Sequence, residues 1–353
     1  MSVTSAVIAT ETAATEAART VLARTSTAVD ACLAAWFASA GNNPALLLAS
    51  TTALVAGTGS GNHLFDASVL QPGLGAPRPR GFLDQAQVPD VARVGVTPIG
   101  ALLVALHAHG GNLSLTELAS AGVKSARQAR ASARAELLRR VAQAGPLAFR
   151  DSSFVRPYLQ RFGRSEGGNV THEDIEQAQP TVSQPWVTSS FVAIEPATAV
   201  TMPSTTRTFV VAACDSKGMW AALHSSYDDD GMEVPELEIT APRFARPVMR
   251  GIERMRPGLQ VRFGAPIGFL LHRTIPWAAL GWQGVQQSIG DRTLTMTAID
   301  WDHLATHVSV DALVTDKLEP LAASVAPTAR IVGCAKGPRR TDTAVVIDTR
   351  PLA

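Results

Sequence analysis

A hairpin of two apolar segments most strongly constrains how this chain of 353 residues folds. Residues 209–214 read Phe-Val-Val-Ala-Ala-Cys, residues 215–218 read Asp-Ser-Lys-Gly, and residues 219–223 form a second apolar run. Gly218 supplies the positive φ that a tight hairpin turn requires. Residues 53–55 form another apolar run without polar alternation, which is typical of strands covered on both faces. The sequence therefore predicts a sheet buried between two other layers.

Helices dominate the first half of the sequence, and strands become frequent in the second half. Apolar spacing of three and four residues predicts helices over residues 15–24, 29–40, 99–109, 114–121 and 126–144. Apolar or β-branched runs predict strands over residues 46–48, 53–55, 190–194, 209–214, 219–223, 294–299 and 343–348. Strands in both halves, with helices preceding and separating them, fit a layered α/β sandwich.

The charge balance argues against nucleic acid and membranes as partners. Lys and Arg number 31 and Asp and Glu 30, so the net charge of +1 creates no long-range attraction to phosphate. The basic residues 124–140 lack interleaved aromatic side chains, which predicts a solvated helix face. The longest apolar stretch, residues 45–57, is shorter than the ~20 residues that span a bilayer. The first charges, Glu11 and Glu16, do not fit a secretory signal, so a cytoplasmic location is expected.

No metal or cofactor site is predicted from the sequence. Cys32, Cys214 and Cys334 form no CxxC pair, which favours reduced and buried thiols. The glycine-rich residues 57–61 lack the Lys of a phosphate-binding loop and the spacing of a dinucleotide fingerprint, so close backbone packing is predicted there. The aspartates at 228–230 lack the alternation of a calcium loop and are predicted to form a solvated turn.

A threonine at the head of the hairpin is the strongest candidate for chemistry. Thr208 opens the first strand of the hairpin, and Thr205 and Thr206 precede it. If the chain were cut immediately before such a residue, the freed α-amino group would be an adjacent base for the hydroxyl proton. No histidine partner would then be required. The alternative is structural, because threonine is β-branched and favours strands.

A series of short motifs runs in order along nearly the whole chain. They are residues 28–31 (Ala-Val-Asp-Ala), 56–65 (Ala-Gly-Thr-Gly-Ser-Gly-Asn-His-Leu-Phe), 76–78 (Ala-Pro-Arg), 167–175 (Gly-Gly-Asn-Val-Thr-His-Glu-Asp-Ile), 208–218, 231–235 (Gly-Met-Glu-Val-Pro), 246–247 (Arg-Pro), 264–268 (Gly-Ala-Pro-Ile-Gly) and 348–350 (Asp-Thr-Arg). In this order they resemble the γ-glutamyltransferase (γ-glutamyltranspeptidase) family of N-terminal-nucleophile hydrolases. Residues 208–218 match without gaps the strand and turn that open that family's small subunit.

The resemblance implies an αββα sandwich in which mixed or antiparallel sheets are covered by helices. It also implies an inactive precursor that cleaves itself. Residues 1–207 then correspond to the large subunit and residues 208–353 to the small subunit, both parts of a single domain.

The resemblance also implies positions for the catalytic groups. The N-terminal nucleophile falls on Thr208. The literal Thr-Thr pair of the family lies at Thr205-Thr206, which leaves Thr206 as the alternative. The main-chain amides of Ile267 and Gly268 correspond to the donors that stabilise the oxyanion. A main-chain N–H remains available as a donor when the side chain at that position differs.

The positions that bind the γ-glutamyl substrate in that family carry other residues here. Its carboxylate-binding arginine falls on Gly73, and its paired serines fall on Met249 and Arg250. Loss of a bidentate arginine from a buried carboxylate costs on the order of 3 kcal/mol of binding. We therefore expect a substrate other than ordinary γ-glutamyl compounds, such as an intermediate of specialised metabolism.

The sequence as a whole predicts an amide hydrolase or acyl transferase without cofactor or metal. Its expected partner is a small-molecule amide or peptide-like substrate, and a homo-oligomer is compatible with the composition. The alternative is a catalytically inactive relative that keeps the fold as a scaffold or small-molecule-binding protein. A nucleic-acid-binding function, based on the basic residues 124–140, is disfavoured by the net charge.

Overall fold

Two six-stranded antiparallel sheets form the centre of the computed structural model. The structure describes residues 4–24, 27–57, 61–79, 81–187, 191–193, 203–262, 267–272, 275–283, 330–336 and 343–349. The described strands are β1 (Ala6–Ala9), β2 (Ser50–Gly57), β3 (Gly61–Ala67), β4 (Thr181–Ser183), β5 (Trp186–Val187), β6 (Phe191–Ala193), β7 (Thr206–Cys214), β8 (Trp220–Asp228), β9 (Met232–Val234), β10 (Ile239–Ala241), β11 (Ile267–His272), β12 (Ile275–Gln283), β13 (Arg330–Lys336) and β14 (Ala344–Asp348). The first sheet has the order β1-β7-β8-β2-β3-β4, and the second has the order β14-β13-β12-β11-β6-β5.

Helices cover the outer face of the first sheet. The described helices are α1 (Thr12–Leu22), α2 (Ala28–Asn42), α3 (Ile99–Gly110), α4 (Leu115–Leu118), α5 (Ser120–Gln128), α6 (Ser132–Ala144), α7 (Leu147–Arg150), α8 (Ser152–Phe162) and α9 (His172–Glu176). Within the described ranges, every helix is too short or too polar to cross a lipid bilayer.

Strand β7 lies between two apolar layers, which explains why its sequence lacks polar alternation. Phe209 and Val211 belong to the core that packs against the helices. Val210 and Ala212, on the opposite face, belong to a second core shared with Phe269 of the other sheet. Because side chains alternate along a strand, residues 206, 208, 210, 212 and 214 all face the second sheet.

Helix α2 is buried along nearly its whole length, from Ala28 to Gly41. Its first turn is closed by a capping box, in which Thr27 Oγ1 accepts from Asp30 N (3.1 Å) and an Asp30 carboxylate oxygen accepts from Thr27 N (3.2 Å). The same carboxylate accepts the N–H of Asn112 at 3.0 Å. Asp30 of the Ala-Val-Asp-Ala motif therefore has a structural role, which is to join α2 to the end of α3.

The sequence predicted the hairpin correctly and most of the helices. Both hairpin strands are present and longer than predicted, and Gly218 has φ of +92°. Two of the predicted helices and strands are wrong. Residues 46–48 form a 3-10 turn rather than a strand, and the helix predicted over 126–144 is interrupted where Arg130 adopts φ of +60°. The strand predicted over 294–299 lies outside the described residues.

Both sheets combine strands from the two parts of the chain. In the first sheet β7 and β8, which follow residue 207, lie between β1 and β2, which precede it. In the second sheet β6, which precedes residue 207, pairs with β11. All three cysteines are buried free thiols, as the sequence predicted.

We expect Gly122→Ala to destabilise the protein, although alanine favours helix formation. A methyl group at Gly122 would overlap the main-chain carbonyl of Phe37, where α5 crosses α2. Overpacking of this kind costs about 1–3 kcal/mol of unfolding free energy, measurable by urea denaturation. The matched control is Gln128→Ala, at an exposed site of α5, which should change stability by less than about 0.5 kcal/mol. Equal stability of the two variants would contradict the close helix crossing.

Candidate active site near the start of strand β7

Thr208 lies on the face of β7 that is directed toward the second sheet. It is partly buried and pairs across the hairpin with Ser226. The next residue on the same face, Val210, packs so closely on β12 that a side chain at Gly281 would overlap it. The hydroxyl of Thr208 is therefore presented at the margin of the space between the sheets.

Polar side chains surround Thr208 on this face of the first sheet. We call Thr208, Ser226, Ser50, His224, Thr52 and Asp66 the inter-sheet polar cluster. Its first row runs from Thr208 across Ser226 to Ser50, and the second runs from Val210 across His224 and Thr52 to Asp66. All members except Thr208 are buried. The following row, from Ala212 to Leu64, is apolar, so the polarity is confined to the end of the sheet where Thr208 lies.

His224 is the one imidazole of this cluster, and it is neutral near pH 7. Its side chain is 2% exposed, and burial lowers its pKa to about 3. Among the described residues, Nε2 of His224 and Oγ1 of Thr52 have no hydrogen-bond partner. The Asp66 carboxylate, by contrast, accepts from the Ser68 hydroxyl at 2.6 Å and lies 3.4 Å from Arg262 Nε.

A buried ion pair holds the segment that leads into Thr208. Arg243 donates to both carboxylate oxygens of Asp228, at 2.7 Å from Nε and 3.2 Å from Nη2. Thr205 Oγ1 donates to the same carboxylate at 2.5 Å. Burial alone would raise the pKa of Asp228, but the hydrogen bonds from Arg243 and Thr205 keep it below its usual value. The predicted solvated turn at 228–230 is therefore wrong for Asp228, which is fully buried.

A cavity of about 790 Å³ opens beside this ion pair. Its lining combines charged groups with methionine, isoleucine and phenylalanine side chains: Gln85, Asp90, Arg93, Pro203, Ser204, Thr205, Asp230, Arg243, Phe244, Ala245, Arg246, Pro247, Met249, Ile252, Glu253 and Met255. The backbone of Arg246 is fixed by the buried Gln71 amide, which accepts from its N–H at 2.9 Å and donates to its carbonyl at 2.8 Å. A cavity of this size accommodates a small organic molecule.

The structure separates the three predicted substrate positions. Met249 lines the cavity, whereas Gly73 and Arg250 are not among its lining residues. The main-chain N–H of Gly73 donates to Asp174 at 2.8 Å, in the capping box of α9. Gly73, to which the resemblance assigns the position of the carboxylate-binding arginine, therefore lies in a turn that is held by the Asp174 carboxylate.

The predicted oxyanion donors lie in the second sheet, close to the layer that Thr208 faces. Ile267 begins β11 and pairs with Gly281, and both Ile267 and Val210 belong to the core between the sheets. Thr208 is two residues from Val210, or about 7 Å along the strand. Residues 263–266, which precede Ile267, lie outside the described part of the chain. The catalytic roles of Thr208, Thr206, Ile267 and Gly268 stay predictions.

The predicted glycine-rich turn is partly described. Gly57 packs against the backbone of Met219, 3.2 Å from the position that its Cβ would take, as expected for close backbone packing. Residues 58–60 lie outside the described residues. In the described ranges, His, Cys, Asp and Glu side chains form no group of three or more that would hold a metal ion.

Comparison with known proteins identifies the fold. No protein-family model matches the chain, and no curated protein matches it. The cephalosporin acylase from Bacillus halodurans is similar over 99% of this chain and 94% of its own, with a TM-score of 0.75 and 15% sequence identity. A variant of LmbA2991 is similar over 98% and 97%, with a TM-score of 0.68 and 14% identity. γ-Glutamyltranspeptidase from Pseudomonas nitroreducens matches 51% of this chain and 66% of its own, with a TM-score of 0.43 and 19% identity.

The chain has the layered sandwich fold of the N-terminal-nucleophile hydrolases. The fold class that the motif series implied is therefore confirmed, over nearly the full length of two solved structures. At these identities the similarity concerns the fold alone.

His224 and Arg243 were not predicted from the sequence as site residues, and Asp228 was predicted only as part of a solvated turn. The available signal was the polar ending of β8, where residues 224–228 read His-Ser-Ser-Tyr-Asp after an apolar start. Because a strand alternates its faces, His224, Ser226 and Asp228 had to share one face with the start of β7. The partner of Asp228 could not be found locally, since Arg243 lies 15 residues further along the chain.

We expect Arg243→Met to lower the free energy of unfolding by about 3 kcal/mol, because it leaves the Asp228 carboxylate buried without its cation. The matched control is Arg207→Met, which removes an ion pair with Asp229 whose side chains are 53% and 47% exposed. An exposed pair contributes less than about 1 kcal/mol. Chemical denaturation at pH 7 compares the two variants, and an equal loss in both would contradict the structural role of Arg243.

Acid should destabilise the protein through His224. Its pKa is about 3 in the folded chain against 6.5 normally, so the unfolded chain binds a proton that the folded chain does not. The free energy of unfolding is therefore at its full value above pH 6.5 and falls as the pH drops from 6.5 toward 3. The expected loss of unfolding free energy between pH 6.5 and pH 4 is about 3 kcal/mol. His224→Gln should remove this part of the pH dependence in denaturation experiments, whereas His172→Gln, at an exposed site, should retain it. The same pH dependence in parent and His224→Gln would disprove the assignment.

Proposed function

We propose that this protein is an amide hydrolase or acyl transferase whose nucleophile is Thr208, exposed as a new N-terminus by self-cleavage. The observation that carries the proposal is the position of Thr208 near the start of β7, facing the second sheet beside a buried polar cluster. The fold shared with a cephalosporin acylase supports it. Thr208 is favoured over Thr206 because Thr206 is only 3% exposed.

The proposed reaction has two stages. In the precursor, Thr208 Oγ attacks the carbonyl carbon of Arg207, and the peptide bond breaks to leave an ester and a free α-amino group on Thr208. Water then hydrolyses the ester, which restores the Thr208 hydroxyl and releases the Arg207 carboxylate. In the mature protein this amine accepts the hydroxyl proton while Oγ attacks the substrate amide. The main-chain N–H groups of Ile267 and Gly268 would stabilise the negative oxygen of the tetrahedral intermediate. The tetrahedral intermediate then collapses: the carbon–nitrogen bond of the substrate breaks, the leaving amine takes the proton from the α-amino group, and an ester remains on Thr208. Water or an acceptor amine removes the acyl group from this ester.

The cavity beside Thr205 is the proposed substrate pocket. Thr208 is not among its lining residues and follows the lining residue Thr205 by three positions. It is lined by charged groups of both signs, among them Arg246 and Glu253, and by the apolar side chains of Met249 and Met255. Such a lining suits a small amide with both polar and apolar parts better than a single carboxylate. We therefore propose a substrate outside the ordinary γ-glutamyl compounds, for example a specialised-metabolite intermediate. The buried free thiols fit a cytoplasmic enzyme.

A second candidate function is that of a non-catalytic scaffold or small-molecule-binding protein. The observation that favours it is that β7 continues across the bond between Arg207 and Thr208, with Thr206 and Arg207 both in register with β8. A chain that stays intact would keep this pairing. The cavity would then bind a ligand without transforming it.

An assay of self-cleavage distinguishes the two candidate functions. We expect the purified parent protein to migrate as two fragments in denaturing electrophoresis, and the Thr208→Ala variant to stay intact because it lacks the attacking hydroxyl. Thr206→Ala is the matched control and should be cleaved like the parent. An intact parent chain would reject the enzyme in favour of the binding protein. Cleavage that is lost in Thr206→Ala and retained in Thr208→Ala would move the nucleophile to Thr206.

A further inference from the structure

We infer that His224 accepts the hydroxyl proton of Thr208 during self-cleavage. This inference rests on the proposed function, because it concerns the step that generates the N-terminal threonine. It assigns to the buried imidazole a role in the precursor alone, and none in the turnover of substrate.

Self-cleavage needs a proton acceptor that the mature site does not need. Before the chain is cut, the nitrogen of Thr208 belongs to a peptide bond and has no basic lone pair. The α-amino group that serves as the base afterwards is a product of this very step. Another side chain must therefore take the proton when Thr208 Oγ attacks the preceding carbonyl carbon.

The register of the first sheet places His224 next to Thr208. Thr208 pairs with Ser226, and His224 lies two residues before Ser226 on the same face of β8. Such diagonal neighbours are about 7–8 Å apart at Cα, a distance that a histidine side chain bridges. Both side chains lie on the face of the first sheet that is directed toward the second sheet.

Other members of the inter-sheet polar cluster are less suited to this role. Ser50, Ser226 and Thr52 carry hydroxyls, which are far weaker bases than an imidazole. Asp66 already accepts hydrogen bonds from Ser68 and lies beside Arg262. Nε2 of His224 is buried and has no hydrogen-bond partner among the described residues. In the tautomer that is protonated at Nδ1, the Nε2 lone pair can accept a proton from a neighbouring hydroxyl.

The step balances without any group beyond water. Thr208 Oγ forms a bond to the carbonyl carbon of Arg207 and gives its proton to His224 Nε2. The proton passes to the nitrogen of Thr208 as the peptide bond breaks, which leaves an ester and a neutral imidazole. Water then hydrolyses the ester to the Arg207 carboxylate and the Thr208 hydroxyl. Because burial disfavours the imidazolium, His224 returns the proton readily, which suits an event that occurs once in each molecule.

The test follows the disappearance of the precursor after cell-free synthesis of the full chain. We expect His224→Gln to slow self-cleavage by about 100-fold or more, the usual effect of losing a general base. The matched control is His172→Gln, the same substitution at an exposed site outside the cluster, which should stay within about threefold of the parent. The cleaved fraction of His224→Gln, once formed, should hydrolyse a test amide such as an acyl p-nitroanilide at the parental kcat.

The outcomes distinguish this inference from the proposed function. A parent that is never cleaved rejects the proposed function itself. A parent and His224→Gln that are cleaved at equal rates reject only the role of His224. A parallel loss of cleavage and of kcat in His224→Gln would indicate a structural role and also reject it. If the glutamine variant does not fold, His224→Ala with added imidazole replaces it, and failure of imidazole to accelerate cleavage counts against the inference.

Discussion

The packing of β7 against the second sheet determines which way Thr208 faces. Val210 occupies the space that a side chain at Gly281 would need, so the two sheets meet closely at this point. Strand alternation then directs Thr208 and His224 into the same inter-sheet layer. A shift of β7 by one residue would turn this polar face toward the helices and their apolar core, and the close packing at Val210 prevents it.

The inter-sheet layer has an apolar part and a polar end, and burying the polar end lowers the free energy of unfolding. Most of it is apolar, yet the end beside Thr208 holds buried polar groups, including an imidazole nitrogen without a partner among the described residues. An unsatisfied buried polar group costs about 1–3 kcal/mol, which an apolar residue at the same position would avoid. Chains tolerate such costs mainly at functional sites. The nearby Asp228–Arg243 pair shows the contrasting case, a buried charge that is fully paired.

The sequence alone predicted the parts of the fold that local patterns determine. Apolar runs and Gly218 were sufficient for the hairpin, and ordered motifs were sufficient for the layered sandwich. Arg130 escaped prediction because its positive φ interrupts a helix whose composition is otherwise favourable. Asp228 escaped because its burial depends on an ion pair made in the tertiary structure. The resemblance assigned Gly73, Met249 and Arg250 as substrate positions; of these three, Met249 lines the cavity and Gly73 and Arg250 do not.

The most direct test of Thr208 as the nucleophile is an experimental structure of the processed protein bound to a simple alkylboronic acid. Boron adds to a nucleophilic hydroxyl and forms a tetrahedral anion that resembles the reaction intermediate. The account predicts a bond from boron to Thr208 Oγ, with one boronate oxygen about 2.7–3.1 Å from the main-chain nitrogens of Ile267 and Gly268. A boronate attached to another residue, or one whose oxygens lie far from both amides, would contradict it.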